Sequence, residues 1–431
     1  MVFTFAFAYP GRIENSPPRR LDCGVFWASE YSAFSILSCQ INMFRSKAAV
    51  IGTGFIGPVH IEGLLRAGVG VQGVLGSNLA KSQATQAKFG LPRAYADLDE
   101  LLADPEVNVV HITSPNRYHF EQTIRCMDAG KHVLCEKPLA MNSTESAELV
   151  RLARLAKTLA GVNYNVRFYP LCIEAATRVQ QGLLGEIFHI TGSYTQDWLH
   201  QDSDFNWRVL ASEGGPLRAL ADIGTHWLDL VQSISSLDIH CVCADLHTVF
   251  PIRKRPVGTT ETFTSKLSTA PKQGVEVPID TEDFGSVLIR FGNGARGVLH
   301  VSQVMAGHKN SIRWEIAGSQ QSMSWNSQHP DELQLGNRDT ANQTLLRDPG
   351  LLSEPARSHA QYPGGHNEGF PDTFKQLFRA FYQAIEHPNE QSGSANVSRL
   401  AAYPTFEDGH REILLCEAIL QSATERRWVD L

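Results

Sequence analysis

Ala48-Ala49-Val50-Ile51-Gly52-Thr53-Gly54-Phe55-Ile56-Gly57 is the stretch that decides how this chain folds. Ala48 to Ile51 read as a buried strand. Three glycines follow at the spacing G-x-G-x-x-G, and Ile61, Leu64 and Leu65 continue with the period of a helix. Gly-rich turns are common in loops, so the glycines alone are a weak signal. Lying between a strand and a helix, in the first βαβ unit, they gain their meaning. Gly52 permits a tight turn, Gly54 lets the backbone approach a pyrophosphate, and Gly57 lets helix and strand pack closely. The helix start then offers unpaired N–H groups and a partial positive charge to phosphate. Gly52, Thr53, Gly54, Phe55, Ile56 and Gly57 are therefore expected to bind a dinucleotide.

Outward from this turn, short apolar runs alternate with helical patterns. Strands are predicted over 69–75, 107–113, 132–136 and 161–163, and helices over 80–89, 119–129 and 144–159. Such alternation implies right-handed crossovers and a parallel sheet, the α/β class, with ligands beyond the carboxyl ends of the strands. An NAD-preferring site usually carries an acid at the end of the second strand. Here that position reads Leu75-Gly76-Ser77-Asn78. Ser77 and Asn78 can donate to a 2′-phosphate and Lys81 can add charge, so Gly76, Ser77, Asn78 and Lys81 tilt the expected cofactor from NAD toward NADP. Lys81 as an ordinary exposed helix lysine is the alternative.

The chain has 431 residues, enough for two domains, and 42% hydrophobic with 19% charged residues marks a folded protein. A formal net charge of -7 favours neither nucleic acid nor anionic membranes as partners. The basic run Arg253-Lys254-Arg255 lies among prolines and reads as a solvated loop, within a long surface loop over 251–278. No uninterrupted apolar run approaches the length of about 18 residues that spans a membrane. Cys126, Cys135, Cys172 and Cys416 sit in apolar stretches, as small buried hydrophobes do. With no C-x-x-C pair and no cluster downstream of Cys241-x-Cys243, no metal site is expected, and a reduced, cytoplasmic setting fits. Residues 1–43 form an extension without period, read as disordered or as an artefact of start assignment, with Met43 as a natural start.

Three further motifs follow the glycine turn: Thr113-Ser114-Pro115-Asn116-Arg117-Tyr118-His119, Cys135-Glu136-Lys137-Pro138-Leu139, and Asp222-Ile223-Gly224-Thr225-His226-Trp227-Leu228-Asp229. In this order they closely resemble the Gfo/Idh/MocA oxidoreductases, a family that includes glucose–fructose oxidoreductase and inositol dehydrogenase. The resemblance covers 47–325 and resumes over 405–428. It implies a Rossmann domain over 44–165 and an α+β domain over 166–431 built on a large, mostly antiparallel sheet. Strand patterns over 187–194, 286–291, 296–303 and 311–316, with Gly292-Asn293-Gly294 as a hairpin turn, agree with that sheet. Its open face implies a homodimer or homotetramer.

The resemblance assigns Lys137, Asp222 and His226 to hydride transfer between nicotinamide and a secondary alcohol or carbonyl of a sugar, sugar derivative or cyclitol. The residue types suit that work. His226 titrates near neutrality unless perturbed and can act as general acid and base. Lys137 can share the proton or orient the hydroxyl, while Asp222 positions the substrate and tunes its neighbours. Asp222 as a plain N-cap and His226 as a packing histidine are the alternatives. A metal held by Asp222, His226 and Asp229 is not needed for hydride transfer. Thr113, Pro115, Asn116 and His119 are expected to line the cofactor cleft, although a Pro-Asn turn opening the next helix accounts for them as well. Glu136 is expected to border the nicotinamide ribose. Tyr164, Arg167, Trp198 and Trp207 are candidate substrate contacts, because aromatics beside polar groups suit a polyhydroxylated ring. Two other functions occur in the family: glycoside hydrolysis through a retained NAD, and silent sensing of sugar or dinucleotide.

Overall fold

The structure, a computed structural model, describes residues 44–256, 274–388 and 403–431. The extension over 1–43 and the centre of the 251–278 stretch lie outside them.

The first half winds β1 (Lys47–Ile51), α1 (Ile56–Ala67), β2 (Gly70–Leu75), α2 (Leu79–Phe89), β3 (Arg93–Tyr95), α3 (Leu98–Ala103), β4 (Val109–Ile112), α4 (His119–Asp128), β5 (His132–Cys135), α5 (Ser143–Leu155) and β6 (Ala160–Val162). All six strands are parallel, in the order β3-β2-β1-β4-β5-β6. Helices cover both faces, which is why β1, β4 and β5 carry nearly unbroken apolar runs. The glycine turn leaves β1 at the centre of the sheet, where the strand order reverses. Two elements, β3 and α3, were not anticipated. α5 also stops at Leu155, short of the predicted residue 159.

The second half adds α6 (Pro170–Gln180), β7 (Ile187–Thr195), α7 (Ala211–Gly214), α8 (Thr225–Ser235), β8 (Ile239–His247), β9 (Ile252–Pro256), β10 (Gly274–Pro278), β11 (Phe284–Phe291), β12 (Arg296–Ser302), β13 (Ser311–Gly318), β14 (Ser322–Asn326), β15 (Glu332–Gly336) and β16 (Gln343–Leu346). α9 (Glu354–Arg357), α10 (Phe370–Glu386), α11 (Phe406–Glu425) and β17 (Val429–Asp430) close the chain. Nine strands form one sheet in the order β16-β15-β14-β13-β7-β12-β11-β8-β17, antiparallel throughout except where β12 meets β7. Its strands alternate burial, as one-sided sheets do. Ile190, Leu299, Trp314 and Trp325 face inward against α6 and α8. The other face stays open, and Phe188, Leu288 and Val298 remain 53%, 48% and 41% exposed there.

The described ends of the expected surface loop form strands. β9 and β10 pair as an antiparallel ladder from Pro256↔Gly274 to Ile252↔Pro278. Arg253, read as solvated, is fully buried. Its guanidinium donates to Asp283 at 2.6 Å and to the carbonyls of Leu199, Gln201 and Asp204. Arg218 pairs with the same carboxylate. A buried acid thus draws the arginine inward, whereas Lys254 and its ion pair with Asp202 stay at the surface.

The last helices return to the first sheet. Phe374, Leu377, Phe378 and Phe381 of α10 share a core with Val50, Ile61 and Leu64. Gly63 allows this approach, since a Cβ there would come within 2.9 Å of the Phe378 ring. α11 packs on α5, β6 and β8, and Thr405 opens it with a reciprocal capping box to Asp408.

Candidate active site

The glycine turn is shaped by contact on one side and by space on the other. Gly52 has φ +113°, and a Cβ there would lie 2.3 Å from Thr113 Oγ1. At Gly57 a Cβ would lie 2.0 Å from the Gly52 carbonyl oxygen, so α1 can approach β1 only without a side chain. Gly54 is exposed, and a Cβ there would meet no atom within 4 Å. A tight turn with open space beneath the helix start fits a pyrophosphate. Thr53 and Ile56 are half-buried in this turn, and Phe55 is exposed. Thr113 Oγ1 donates to the Ile51 carbonyl at 2.7 Å, tying β4 to the turn.

At the end of β2 the Asn78 side chain accepts from Lys81 N–H at 3.0 Å and caps α2, while Ser77 and Lys81 are exposed. Gly76 donates its N–H to Ser82 Oγ at 2.8 Å. On the far side of the cleft, Pro115 is half-buried and begins a 3-10 turn, Asn116–Tyr118. Asn116 Nδ2 donates to the Gly214 carbonyl at 2.9 Å, joining the two halves of the chain. His119 is buried, with its ring nitrogens 2.8 Å from the Pro138 carbonyl and 2.9 Å from the Ser114 carbonyl. It staples the loop to the Glu136-Lys137-Pro138 segment, with a carbonyl oxygen against each ring nitrogen.

Lys137 leaves β5 and crosses to the second half. Its Nζ donates to the Asp222 carbonyl at 2.6 Å and to Asp222 Oδ1 at 2.9 Å. Two of its three donors are thus engaged. Asp222 does not cap a helix. It lies inside a π-helical turn, Leu220–Gly224, closed by Thr225 N–H onto the Leu220 carbonyl, a rare geometry frequent at functional sites. Glu282 holds the start of this turn by accepting from Arg218 N–H and Leu220 N–H. The other Asp222 oxygen accepts from Gln303 Nε2 at 2.8 Å, and Arg208 Nε lies 3.5 Å from Oδ1. Burial alone would raise the Asp222 carboxyl, but Lys137 and Arg208 hold it well below the usual carboxylate range.

His226 opens α8 four residues later. The Tyr164 ring meets its ring edge-on, with centroids 5.7 Å apart. Behind it, Trp227 Nε1 donates to the Arg313 carbonyl at 3.0 Å across Gly192, where a Cβ would lie 2.4 Å from that nitrogen. Burial first, and the Lys137 charge second, push the His226 imidazole down to about 3. It is therefore neutral at ordinary pH and able to accept a proton. His226 Nδ1 is buried without a hydrogen-bond partner, as expected of a site completed by a ligand. The residues present fit a bound nicotinamide dinucleotide.

Of the candidate substrate contacts, Tyr164 is buried against His226. Arg167 does not reach the cleft. Its buried guanidinium is paired with both Asp229 oxygens and with Asp408 at 3.2 Å, a structural triad. Trp198 and Trp207 are half-exposed near the cleft; Trp198 Nε1 donates to Gln196, and Arg208 stacks on Trp207. Sequence reasoning missed Gln303, His60 and His111. His60 contacts the Glu136 carboxylate, as Asn163 does, yet nothing in its local pattern marks it. Among the described residues no group of three or more His, Cys, Asp or Glu is placed to hold a metal.

Two family models match the chain: an oxidoreductase family model with an NAD-binding Rossmann fold over residues 46–164, and the GFO/IDH/MocA C-terminal domain over 173–324. This chain belongs to the Gfo/Idh/MocA oxidoreductases. Levoglucosan dehydrogenase of Pseudarthrobacter phenanthrenivorans is 31% identical over 350 residues, which cover 80% of this chain and 85% of that protein. D-glucoside 3-dehydrogenase of Escherichia coli is 32% identical over 194 residues, 44% of this chain and 53% of that one. Among solved structures, levoglucosan dehydrogenase in complex with NADH and L-sorbose aligns with a TM-score of 0.77 at 27% identity, covering 90% of this chain and 99% of that one. An inositol dehydrogenase homologue from Azotobacter vinelandii, complexed with NADH and myo-inositol, gives 0.75 at 25% identity, covering 90% and 98%. The chain is thus an oxidoreductase with an NAD-binding Rossmann domain.

The glycine geometry separates two effects. Gly57→Ala should lower the melting temperature, because backbone must move. Gly54→Ala should melt like the unaltered protein, yet bind the dinucleotide roughly tenfold more weakly, about 1.4 kcal/mol. Calorimetry and cofactor titration read both, and equal melting losses would contradict the assignment of open space at Gly54.

Proposed function

We propose that this oxidoreductase catalyses NAD(P)-dependent interconversion of a secondary alcohol and a carbonyl on a sugar, sugar derivative or cyclitol. The observation that carries the reading is the pair Lys137–Asp222, which joins the end of β5 to the turn that opens the His226 helix. The free donor of Lys137 binds and orients the substrate hydroxyl. Neutral His226 takes its proton in the oxidative direction and returns it in reduction. Asp222, with both oxygens engaged, fixes Lys137 rather than exchanging protons. A nicotinamide bound in the cleft supplies hydride acceptance and donation. Support for the substrate class comes from the relatives named for levoglucosan, glucosides and inositol, and from half-exposed Trp198 and Trp207 beside Arg208.

NADP is favoured over NAD because no carboxylate at the end of β2 repels a 2′-phosphate, and exposed Ser77 and Lys81 stand beside it. A homodimer or homotetramer forms through the open sheet face bearing Phe188, Leu288 and Val298. The cytoplasm is the setting: Cys126, Cys135, Cys172 and Cys416 are free and buried, and no described helix is long and apolar enough to cross a membrane.

Lys137→Met and His226→Ala should each lower turnover by roughly two to four orders of magnitude, leaving cofactor affinity nearly intact. Unchanged turnover across a panel of sugars and cyclitols would remove these assignments. NADPH should bind at least as tightly as NADH in direct titration, and a clear preference for NADH overturns the cofactor reading. Leu288→Glu should convert the assembly to monomers by light scattering; a monomeric unaltered protein ends the oligomer proposal.

A further inference from the structure

Four buried side chains run in a line from helix α10 to Glu136. Tyr382 Oη lies 3.2 Å from His111 Nε2, His111 Nδ1 lies 3.0 Å from His60 Nδ1, and His60 Nε2 lies 3.0 Å from Glu136 Oε1. Tyr382, His111 and His60 are fully buried, and the His60 ring is enclosed by Phe374 and Phe378. Asn163 Nδ2 converges on the same Glu136 oxygen, while Glu136 Oε2 accepts from Lys137 N–H at 3.2 Å.

Hydrogen-bond chemistry fixes the end of this line. A carboxylate only accepts, so His60 must carry a proton on Nε2. Its Nδ1 faces a second nitrogen at 3.0 Å, and one proton between them satisfies both rings. With neutral rings, Tyr382 donates to His111, His111 to His60, and His60 to Glu136. If His60 carries both protons, the first two links reverse and the last does not. Either way the ring is held at both nitrogens, and its N–H points at Glu136.

We infer that His60, braced by His111 and Tyr382, is a positioning residue that keeps Glu136 a carboxylate beside Lys137 and His226. The inference rests on the dehydrogenase reading for the part this carboxylate plays in the cleft. The charged or titratable groups facing Glu136 are Cys135 and Lys137 from its own segment, His60 from α1, His119 from α4 and His226 from α8. Burial alone would push the Glu136 carboxyl up, and the His60 donor with Lys137 and Asn163 brings it down to about 2. Loss of the His60 donor therefore raises the pH at which that carboxylate disappears.

The experiment is the infrared titration of the Glu136 carboxylate, taken as the difference against Glu136→Gln, in the unaltered protein, His60→Leu, His60→Gln and Tyr382→Phe. His60→Leu should shift the titration up by about one pH unit. His60→Gln, which keeps an N–H, should restore most of the position, and Tyr382→Phe should shift it the same way by less. An unmoved titration in folded His60→Leu, or equal shifts for Leu and Gln, overturns the inference; should His60→Leu not fold, an unmoved titration in Tyr382→Phe does so. An unaltered protein that oxidises no polyol fails the dehydrogenase reading and leaves this titration to decide on His60.

Discussion

The contact between Lys137 and Asp222 joins residues 85 apart in sequence, and the geometry of the cleft depends on it. Both side chains are largely withdrawn from solvent. A pair of this kind adds little net stability, because desolvation offsets attraction, yet removing one partner costs about 3–5 kcal/mol. Its value is therefore registry. Lys137 grips the carbonyl and the carboxylate of one residue, which fixes the position and the rotation of the π-helical turn. The His226 helix inherits both, and Gly192 lets Trp227 lie against the sheet to hold that helix in place.

Charge around the cleft alternates in a way that suits proton movement. Glu136 and Asp222 are both held as carboxylates near Lys137, and Arg208 approaches the same Asp222 oxygen as the lysine. His226 is neutral because burial and the lysine both oppose its charge. In the proposed reaction His226 takes a substrate proton, an imidazolium forms beside a cation, and the two nearby carboxylates offset that repulsion. A carboxylate pair with one lysine is thus a better environment for a transient charge than either carboxylate alone. Gln303 adds to this by occupying the Asp222 oxygen that Lys137 does not use.

The parallel sheet was legible because its strands are buried on both faces and announce themselves as apolar runs next to glycine. β3 was not, being three residues long with Arg93 exposed. α5 was overextended, since it ends at Ala156 in an extended conformation with no glycine or proline to signal the stop. The β9–β10 ladder was hidden by prolines and charges that normally mean loop. Arg253 becomes a core residue through Asp283, thirty positions away, and through the carbonyls of Leu199, Gln201 and Asp204. Lys137, Asp222 and His226 stood out because a resemblance in motif carried them. Their supporting residues did not, because a hydrogen bond between Gln303 and Asp222, or His60 and Glu136, leaves no local trace in sequence. Arg167 shows the opposite error: a polar residue beside an aromatic suggested ligand binding, and it proved to serve the core.

That error is instructive about how the cleft keeps its shape. Arg167 follows the first sheet, Asp229 lies three residues beyond His226 on α8, and Asp408 lies on α11, which packs on α5. One buried guanidinium therefore links the exit from the Rossmann sheet, the histidine helix and the returning C-terminal helix. α10 does the same on the other side, bringing Tyr382 and the Phe374–Phe378 cage onto α1 behind the glycine turn. Both faces of the cofactor fold are thus covered by chain that comes after the large sheet. Helix α1, which follows the glycine turn, and helix α8, which carries His226, are each braced from behind by those late helices. The distances in the cleft are set by the whole chain's return path rather than by either half alone.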